Sequence, residues 1–317
     1  MSLVDSFGKI LVPVDDSVSS LAAQQLAALI AKKYDSEVTA LYVVSHALMS
    51  PAVLDMVAET AEQEFAPGQI ARSGEHSMPK MIGPPDEGRP MAKGVVGEIS
   101  DWYHERGDEI AGEAFRLLKA EGVSVDKRVI EFHDPASAII RQVEDEDYGS
   151  VIMGRSGEKE KQPHLGSTAE KVVRHARVPV LVVADSRRVS KILVPVDGSR
   201  AAETALRYAV NLAKKLGAKI TLLHVQESGL SRVRPEITRS LGDTILSQAA
   251  GNVRDVEFDT KLESGSPGSV ITHTANEENY DLIVMGDKGH GGVRRFLLGS
   301  VSNHVLHYAN HTILIVK

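Results

Sequence analysis

The sequence predicts an α/β fold made of two doubly wound, five-stranded parallel sheets in tandem, and three observations carry this prediction. The chain has 317 residues, which is more than a single hydrophobic core usually serves. The segment ILVPVDDS at 10–17 returns as ILVPVDGS at 192–199, which indicates an internal repeat. Within each repeat, short β-branched runs alternate with helical patterns, as is typical of βα units on a parallel sheet.

The spacing between matching residues shows that the two repeats differ in length. It is 182 residues at the first strand, where Ile10 matches Ile192. It falls to 132 residues further along, where Met153 and Gly154 match Met285 and Gly286. Repeat one therefore contains about fifty extra residues, the difference between 182 and 132.

These spacings place the domain boundaries. We expect a first domain over 1–185, with an inserted segment at about 46–107, and a second domain over 189–317. The linker at 185–190 is short and polar, so the two domains should pack side by side. In the inserted segment we expect a loop, followed by a long helix on the sheet whose pattern runs from Ile99 to Gly122.

The elements of repeat two can be placed one by one. Ser199 is a good N-cap for the helix that follows the first strand. Lys214 and Lys215 complement the dipole in the last turn of that helix, and Gly217 suits the left-handed residue just beyond it. The expected strands lie near 191–196, 219–225, 256–262, 281–285 and 312–316.

Composition and charge exclude several classes of function. The apolar and charged fractions, 42% and 25%, are ordinary for a globular protein, and no apolar run reaches the ~18 residues that cross a bilayer. A net charge of −7 gives no general attraction for nucleic acid or anionic lipid. The beginning of the chain lacks a secretory signal pattern, and there are no cysteines. We therefore expect a cytoplasmic protein without a membrane span.

A glycine-rich loop follows the fourth strand of repeat two, from Gly286 to Ser300, with the spacing G-x2-G-x9-G-S. Backbone without a Cβ can approach a ligand closely, and successive N–H groups can converge on an anion. Gly299 and Ser300 open a helix whose unpaired N–H groups favour phosphate, Arg294 adds positive charge, and His290 can donate a hydrogen bond. The alternative is that the glycines serve only the turn and that Ser300 only caps its helix.

This loop resembles that of the universal stress proteins, whose ATP-binding members carry the same G-x2-G-x9-G-S spacing. The opening strand ending in V-P-V-D and the sequence Gly265-Ser266-Pro267 before a helix strengthen the resemblance, which covers repeat two and most of repeat one. It implies a flavodoxin-like or Rossmann-like fold that binds adenine nucleotides. It also implies an ATP site formed by Pro195, Val196, Asp197, Val225, Met285, Gly286, Gly289, His290, Arg294, Gly299, Ser300 and Val301.

By that resemblance, Asp197 meets the ribose or the adenine edge, Val225 lines the adenine pocket beside Met285, and Gly286 lies near the ribose. The phosphates are bound by Gly289, Gly299 and Ser300. The residue types suit these roles, since a carboxylate accepts hydrogen bonds from ribose hydroxyls and apolar side chains cover a purine face. Each residue also has an ordinary structural interpretation. Val225 and Met285 fit a core, and Asp197 fits a turn.

Repeat one retains the frame of this site but changes its loop. Eight residues separate Gly157 from Gly166, one fewer than in repeat two, and they include two glutamates and no glycine. His133 stands where repeat two has Gly265, and the pattern from Ser167 to Glu170 fits a capping box. We therefore expect ATP binding there to be weak or absent. This weaker second site would contain Asp15, Val43, Gly154, Gly157, Gly166 and Ser167.

The sequence favours a binding protein over an enzyme. It contains no P-loop, no G-x-G-x-x-G after a strand and no G-x-S-x-G. The histidines lack metal-ligand spacing, so we expect no metal site, and magnesium would arrive only with the phosphates of the nucleotide. The first hypothesis is an ATP-binding stress-response regulator without catalytic residues. The alternatives are a slow ATPase or a nucleotidyl or phosphoryl transferase that uses Asp197 or His290, and a nucleotide-free scaffold.

The resemblance also has implications for assembly. It implies that the two domains pair through their last strands, here 179–183 and 312–316. A long apolar strand should not be left at an open sheet edge, which agrees with such pairing. A homodimer of the whole chain and an unidentified protein partner remain as further alternatives.

Overall fold

The computed structural model describes residues 7–45, 90–132, 134–157, 165–185, 188–227, 235–289 and 298–317. The loop expected at the start of the inserted segment falls on 46–89 and lies outside these residues. The same holds for His133, His290 and Arg294.

In the described part of the chain, ten strands form one sheet, in the order β3-β2-β1-β4-β5-β10-β9-β6-β7-β8. Repeat one contributes β1 (Lys9–Pro13), β2 (Val38–Ser45), β3 (Val125–Phe132), β4 (Tyr148–Gly154) and β5 (Val180–Val183). Repeat two contributes β6 (Lys191–Pro195), β7 (Lys219–Glu227), β8 (Phe258–Gly265), β9 (Leu282–Gly286) and β10 (Thr312–Val316). The five strands expected in repeat two are thus present, with ends within three residues of the predicted ones.

Helices follow the strands as a doubly wound fold requires. In repeat one they are α1 (Val18–Tyr34), α2 (Pro90–Ala120), α3 (Pro135–Asp145) and α4 (Ser167–His175). In repeat two they are α5 (Arg200–Leu216), α6 (Pro235–Ala250), α7 (Pro267–Glu277) and α8 (Ser300–Tyr308). Helices α1, α2, α5 and α6 supply side chains to one buried cluster, and α3, α4, α7 and α8 supply a second. The alternating residues Ile10 and Leu11 of β1 divide between these clusters, so the core has one layer on each face of the sheet.

The two repeats join through their last strands. All pairings within each repeat are parallel, whereas β5 and β10 are antiparallel, with Ile313 opposite Val182 and Ile315 opposite Val180. This is the strand pairing that the sequence led us to expect. The side chains of Ile313, Leu314 and Ile315 are fully buried, so this apolar strand lies at the centre of the sheet rather than at an edge.

The local signals at α5 are confirmed. The side chain of Ser199 accepts a hydrogen bond from the backbone N–H of Ala202 at 3.2 Å, which satisfies one of the free donors at the start of the helix. Gly217 ends the helix in the left-handed region, with φ of 69°.

The predicted capping box in repeat one is wrong. Gly166, not Ser167, is the N-cap of α4, and no side chain caps this helix. Glu170 binds Arg174 one turn further along, with Nη2 and Oε1 2.8 Å apart, so its carboxylate turns away from the start of the helix. Ser300 is likewise the first residue of α8, and Gly299 is its N-cap without a side-chain bond. Both serine hydroxyls therefore remain outside the capping role.

The long helix of the inserted segment is confirmed and begins earlier than its apolar pattern indicated. It starts at Pro90 instead of near Ile99 and ends before Gly122, which has φ of 78°. Its buried residues Ile110, Ala114 and Leu118 pack in the same cluster as α1.

Candidate functional site

The crevice of repeat two opens at the carboxyl ends of β6 and β9. These neighbouring strands pair in parallel, and the chain leaves β6 toward β7 on one side and returns to β9 on the other. This reversal of strand order is the point at which doubly wound sheets bind their ligands. Pro195 ends β6 at this edge, Val196 and Asp197 follow it, and Met285 and Gly286 end β9.

Two glycines let the loop after β9 pass close to the loop after β6. A Cβ on Gly286 would lie 2.7 Å from the Cβ of Ala201, at the start of α5. A Cβ on Gly289 would lie 2.7 Å from Oδ2 of Asp197. At Gly286 the packing requires glycine, because backbone atoms of Ala201 lie equally close, whereas at Gly289 a side chain would displace the carboxylate of Asp197. The backbone of Gly289 and the carboxylate of Asp197 consequently border the same space.

The amino end of α8 docks on this loop. The N–H of Gly299 donates to the main-chain oxygen of Asp287 at 2.7 Å, and a Cβ on Gly299 would stand only 3.2 Å from that oxygen. The buried hydroxyl of Ser302 donates to the main-chain oxygen of Gly286 at 2.8 Å. These bonds bring the first residues of α8, Ser300 and Val301, beside the glycine loop. A helix start so placed offers N–H donors and a positive dipole end to an anion.

The carboxylate of Asp197 is held by the turn that follows β6. Its Oδ1 accepts a hydrogen bond from the N–H of Ser199 at 2.9 Å, and Gly198 between them has φ of 81°. The turn interpretation of Asp197 is therefore correct as far as Oδ1 is concerned. Its Oδ2 lies on the side that faces Gly289.

His224 is a site residue that the sequence reading missed. Its Nδ1 lies 2.7 Å from the main-chain oxygen of Val196, so the ring fixes the residue between Pro195 and Asp197. Repeat one has Tyr42 at the matching position, and this difference between otherwise similar strands was the available signal. Ser302 could have been found in the same way, since its counterpart is Ala169.

Apolar side chains form one wall of the crevice region. Met285 is 4% exposed, and Val225 and Val301 are partly buried against the cluster that contains it. Met285 is thus a core residue. Val225 and Val301 are only partly buried and lie at the carboxyl edge of the sheet. Three elements, β7, β9 and α8, bring these side chains together.

Two lysines and two carboxylates lie around the loop. Lys288 Nζ lies 3.4 Å from Oδ2 of Asp287, and the carboxylate of Asp197 faces Gly289. Burial lowers the pKa of Lys317 to about 8, against the negative charge of Asp287 and together with the positive charge of Lys288. The described groups around the loop therefore include equal numbers of cationic and anionic side chains.

Repeat one has the same main-chain hydrogen bond between the glycine loop and the following helix, but different side chains surround it. The N–H of Gly166 donates to the main-chain oxygen of Arg155 at 2.8 Å, as Gly299 does to Asp287. Here, however, the hydroxyl of Ser19 donates to the main-chain oxygen of Ser156 at 2.6 Å and accepts from its N–H at 3.3 Å. One N–H of this glycine loop is therefore already bonded within the protein. Gly154 and Gly157 complete the loop, and Ser167 begins α4.

The other two residues of the weaker site also lie at the carboxyl edge of repeat one. Oδ1 of Asp15 accepts from the N–H of Ser17 at 2.9 Å, as Asp197 does from Ser199. Val43 is partly buried in β2. The structure thus places Asp15 and Val43 in the positions that Asp197 and Val225 occupy in repeat two.

Among the described residues, no group of three or more histidine, aspartate or glutamate side chains could hold a metal ion. None of the helices in the described ranges is both long and apolar enough to cross a bilayer.

Comparison with known proteins identifies the family. The model of the universal stress protein family matches the chain twice, at residues 6–184 and 188–317. The chain belongs to the universal stress protein family. A putative universal stress protein of Staphylococcus aureus (strain USA300) is 35% identical over 137 residues, which cover 40% of this chain and 82% of that protein. The likeness expected from the glycine loop is therefore confirmed at the level of the family.

One solved structure of a universal stress protein shares the fold over the whole chain, and another matches less than half of it. One from Pseudomonas aeruginosa UCBPP-PA14, described as putative, is 18% identical, with a TM-score of 0.65, and the match covers 100% of this chain and 95% of that one. A universal stress protein from Archaeoglobus fulgidus was solved in complex with dAMP. It is 26% identical, and the match covers 41% of this chain and 100% of that one, with a TM-score of 0.35.

Proposed function

We propose that the chain is an ATP-binding universal stress protein that acts as a stress-response regulator, with the nucleotide held in repeat two. The observation that carries this proposal is the convergence of three features at one edge of the sheet. The glycine backbone after β9, the amino end of α8 and the carboxylate of Asp197 all border the same space.

Each feature suits one part of ATP. The N–H groups of Ser300 and Val301 and the close-packed backbone of Gly289 suit the phosphates. Oδ2 of Asp197 suits the ribose hydroxyls, and Val225 offers an apolar surface to the purine. His290 and Arg294 belong to the proposed site on the basis of the sequence.

The regulatory part of the proposal rests on the kinds of groups that we assign to the site. Its described groups bind and orient, and a general base placed to activate water is not among the residues we assign. We propose that occupancy of the site changes a surface of the domain and that a partner protein responds to the change. Magnesium would enter with the phosphates rather than through a ligand set of its own.

The experiment is calorimetric titration of Mg-ATP into the wild-type chain and into Gly299→Val, after denaturing release and chromatography of any co-purified nucleotide. We expect ATP binding to the wild type and its loss in the variant, because a side chain at Gly299 would push α8 away from Asp287. Absence of both binding and co-purified nucleotide in the wild type would refute the proposal.

The same samples separate binding from turnover. Incubation with Mg-ATP followed by chromatography should leave the nucleotide intact over the time of a titration. Turnover that Asp197→Asn abolishes, with affinity retained, would replace the regulator by the ATPase or transferase alternative.

A further inference from the structure

Arg155, the second residue of the glycine loop in repeat one, reaches into repeat two. Its side chain is 2% exposed. Its Nη2 donates to the main-chain oxygen of Leu306 at 2.9 Å and to that of His307 at 3.3 Å. Both oxygens belong to the last turn of α8, where carbonyl groups have no donor within the helix. Burial lowers the pKa of Arg155, yet a guanidinium stays charged at neutral pH.

Helix α8 connects this contact with the proposed ATP site. It has nine residues and is therefore about 13 Å long. Its first turn carries Ser300, and its last turn receives the guanidinium of Arg155. A cation at the carboxyl end of a helix is favourable because it faces the negative end of the dipole. Since so short a helix moves as a rigid unit, fixing its last turn also fixes the N–H donors of its first turn.

The glycine loop of repeat two does not make the matching contact to the helix of repeat one. The residue of repeat two that matches Arg155 is Asp287, whose carboxylate cannot donate to a carbonyl. The matching helix of repeat one, α4, instead receives Nζ of Lys317 at the main-chain oxygen of Val173. The loop of repeat one is thus tied to the helix of repeat two by an arginine, and the reverse tie comes from a different element.

From this geometry we propose that Arg155 is a positioning residue for the ATP site of repeat two. It anchors the last turn of α8 to the loop from Gly154 to Gly157 and thereby holds Gly299 and Ser300 against the glycine loop of repeat two. The proposal rests on the proposed function. It gives the loop of repeat one a part in binding ATP at the other repeat, whether or not that loop binds a nucleotide itself.

The test is titration of Mg-ATP into the wild type, Arg155→Met, Arg155→Lys and a control, Arg128→Met. Arg128 is a partly buried arginine of β3 whose bonds to Gln142 and Glu146 stay within repeat one. We expect Arg155→Met to bind ATP about three- to tenfold more weakly. Arg155→Lys keeps a cation near the carbonyl groups and should bind within about twofold of the wild type, as should Arg128→Met.

Thermal unfolding of each variant, measured without nucleotide, shows whether the chain is folded before titration. If Arg155→Met does not fold, Arg155→Gln replaces it, because the amide can still donate to one carbonyl while the charge is lost. A folded neutral variant that binds ATP as tightly as the wild type overturns the proposal, even if its melting temperature falls. Failure of the wild type to bind ATP would instead refute the proposed function and this inference with it.

Discussion

The described parts of the two glycine loops share a main-chain hydrogen bond to the following helix and differ in the side chains that surround them. In repeat one the hydroxyl of Ser19 bonds to both the N–H and the oxygen of Ser156. In repeat two the matching residue of α5 is Ala201, which has no hydroxyl to offer. The glycines that the two loops share serve packing in both repeats. Whether the N–H groups of a loop are available for a ligand depends on the residues that contact the loop from neighbouring elements.

The glycine that precedes the helix has a packing role in both repeats. Gly166 and Gly299 each donate an N–H to the residue after the strand, at 2.8 and 2.7 Å. Each also has an oxygen of that residue 3.2 to 3.3 Å from its missing Cβ. A side chain at either position would make the neighbouring backbone shift by a few tenths of an ångström, with or without a ligand. The difference between the repeats therefore has to be tested at positions where their surroundings diverge.

The largest effect is expected at the third residue after each strand-ending glycine. In Gly289→Ala the new methyl group would meet Oδ2 of Asp197 at 2.7 Å, whereas in Gly157→Ala it would meet Asp15 at 3.7 Å, an ordinary contact. We expect Gly289→Ala to weaken ATP binding about thirtyfold, or about 2 kcal/mol, and Gly157→Ala to leave it unchanged. Calorimetry of both variants checks this. Equal losses in the two would contradict the assignment of the site to repeat two.

The next effect concerns stability at the end of β8. Gly265 has φ of 154°, and a Cβ there would lie 2.7 Å from Cγ2 of Val270. Gly265→Ala should therefore lower the free energy of unfolding by about 1–2 kcal/mol. Urea unfolding of this variant and of Gly112→Ala, where the new Cβ would meet the end of the Arg116 side chain at 3.5 Å, measures the difference. A loss no greater in Gly265→Ala than in Gly112→Ala would show that the end of β8 tolerates a side chain.

A third difference between the repeats is the ionisation of Lys317. Lys317 has a pKa of about 8 in the folded chain, below its ordinary 10.5, because it is buried, and the matching residue of repeat one is Ala184. Between these two values the unfolded chain binds more protons than the folded one, so stability rises with pH. We expect the wild type to gain about 2 kcal/mol relative to Lys317→Met between pH 7.5 and 9.5. Urea unfolding at several pH values measures this, and parallel curves for the two proteins would contradict it.

The smallest effect is expected at Ser19, whose hydroxyl bonds to the glycine loop of repeat one. Ser19→Ala removes the two hydrogen bonds to Ser156 and should cost about 0.5–1 kcal/mol of stability, with ATP affinity at repeat two unchanged. Ser36→Ala, a substitution in the short connection between α1 and β2, serves as the control in urea unfolding. If Ser19→Ala were no less stable than this control, the hydroxyl would not hold the loop closed.

The fold could be predicted from the sequence because its signals are local and occur twice. The segment ILVPVD marks the first strand of each repeat, Ser199 and Gly217 mark the ends of α5, and β-branched runs mark the remaining strands of repeat two. The pairing of β5 with β10 was expected from the resemblance and from the apolar character of the last strand, whereas its antiparallel direction comes from the structure. The true start of α2 at Pro90 was missed because Gly94 and Gly97 lie in its first turns, directly after a Pro/Gly-rich stretch.

Within the candidate site, the residues that act through the backbone could be predicted from local spacing. Gly286, Gly289 and Gly299 follow from their spacing, because a missing Cβ has the same meaning in any context. His224, Ser302 and Arg155 act through contacts with elements distant in sequence, so no local pattern points to them. The capping box at Ser167 failed for the same reason, since Glu170 binds Arg174 rather than the start of α4.

The most direct test of a single ATP site in repeat two compares two matched variants by stoichiometry. Gly299→Val and Gly166→Val each place a side chain against the oxygen of the residue after the strand, in repeat two and repeat one respectively. Calorimetric titration with Mg-ATP should give one ATP per chain for the wild type and for Gly166→Val, and no binding for Gly299→Val. Loss of binding in Gly166→Val with binding retained in Gly299→Val, or two ATP per wild-type chain, would contradict the account.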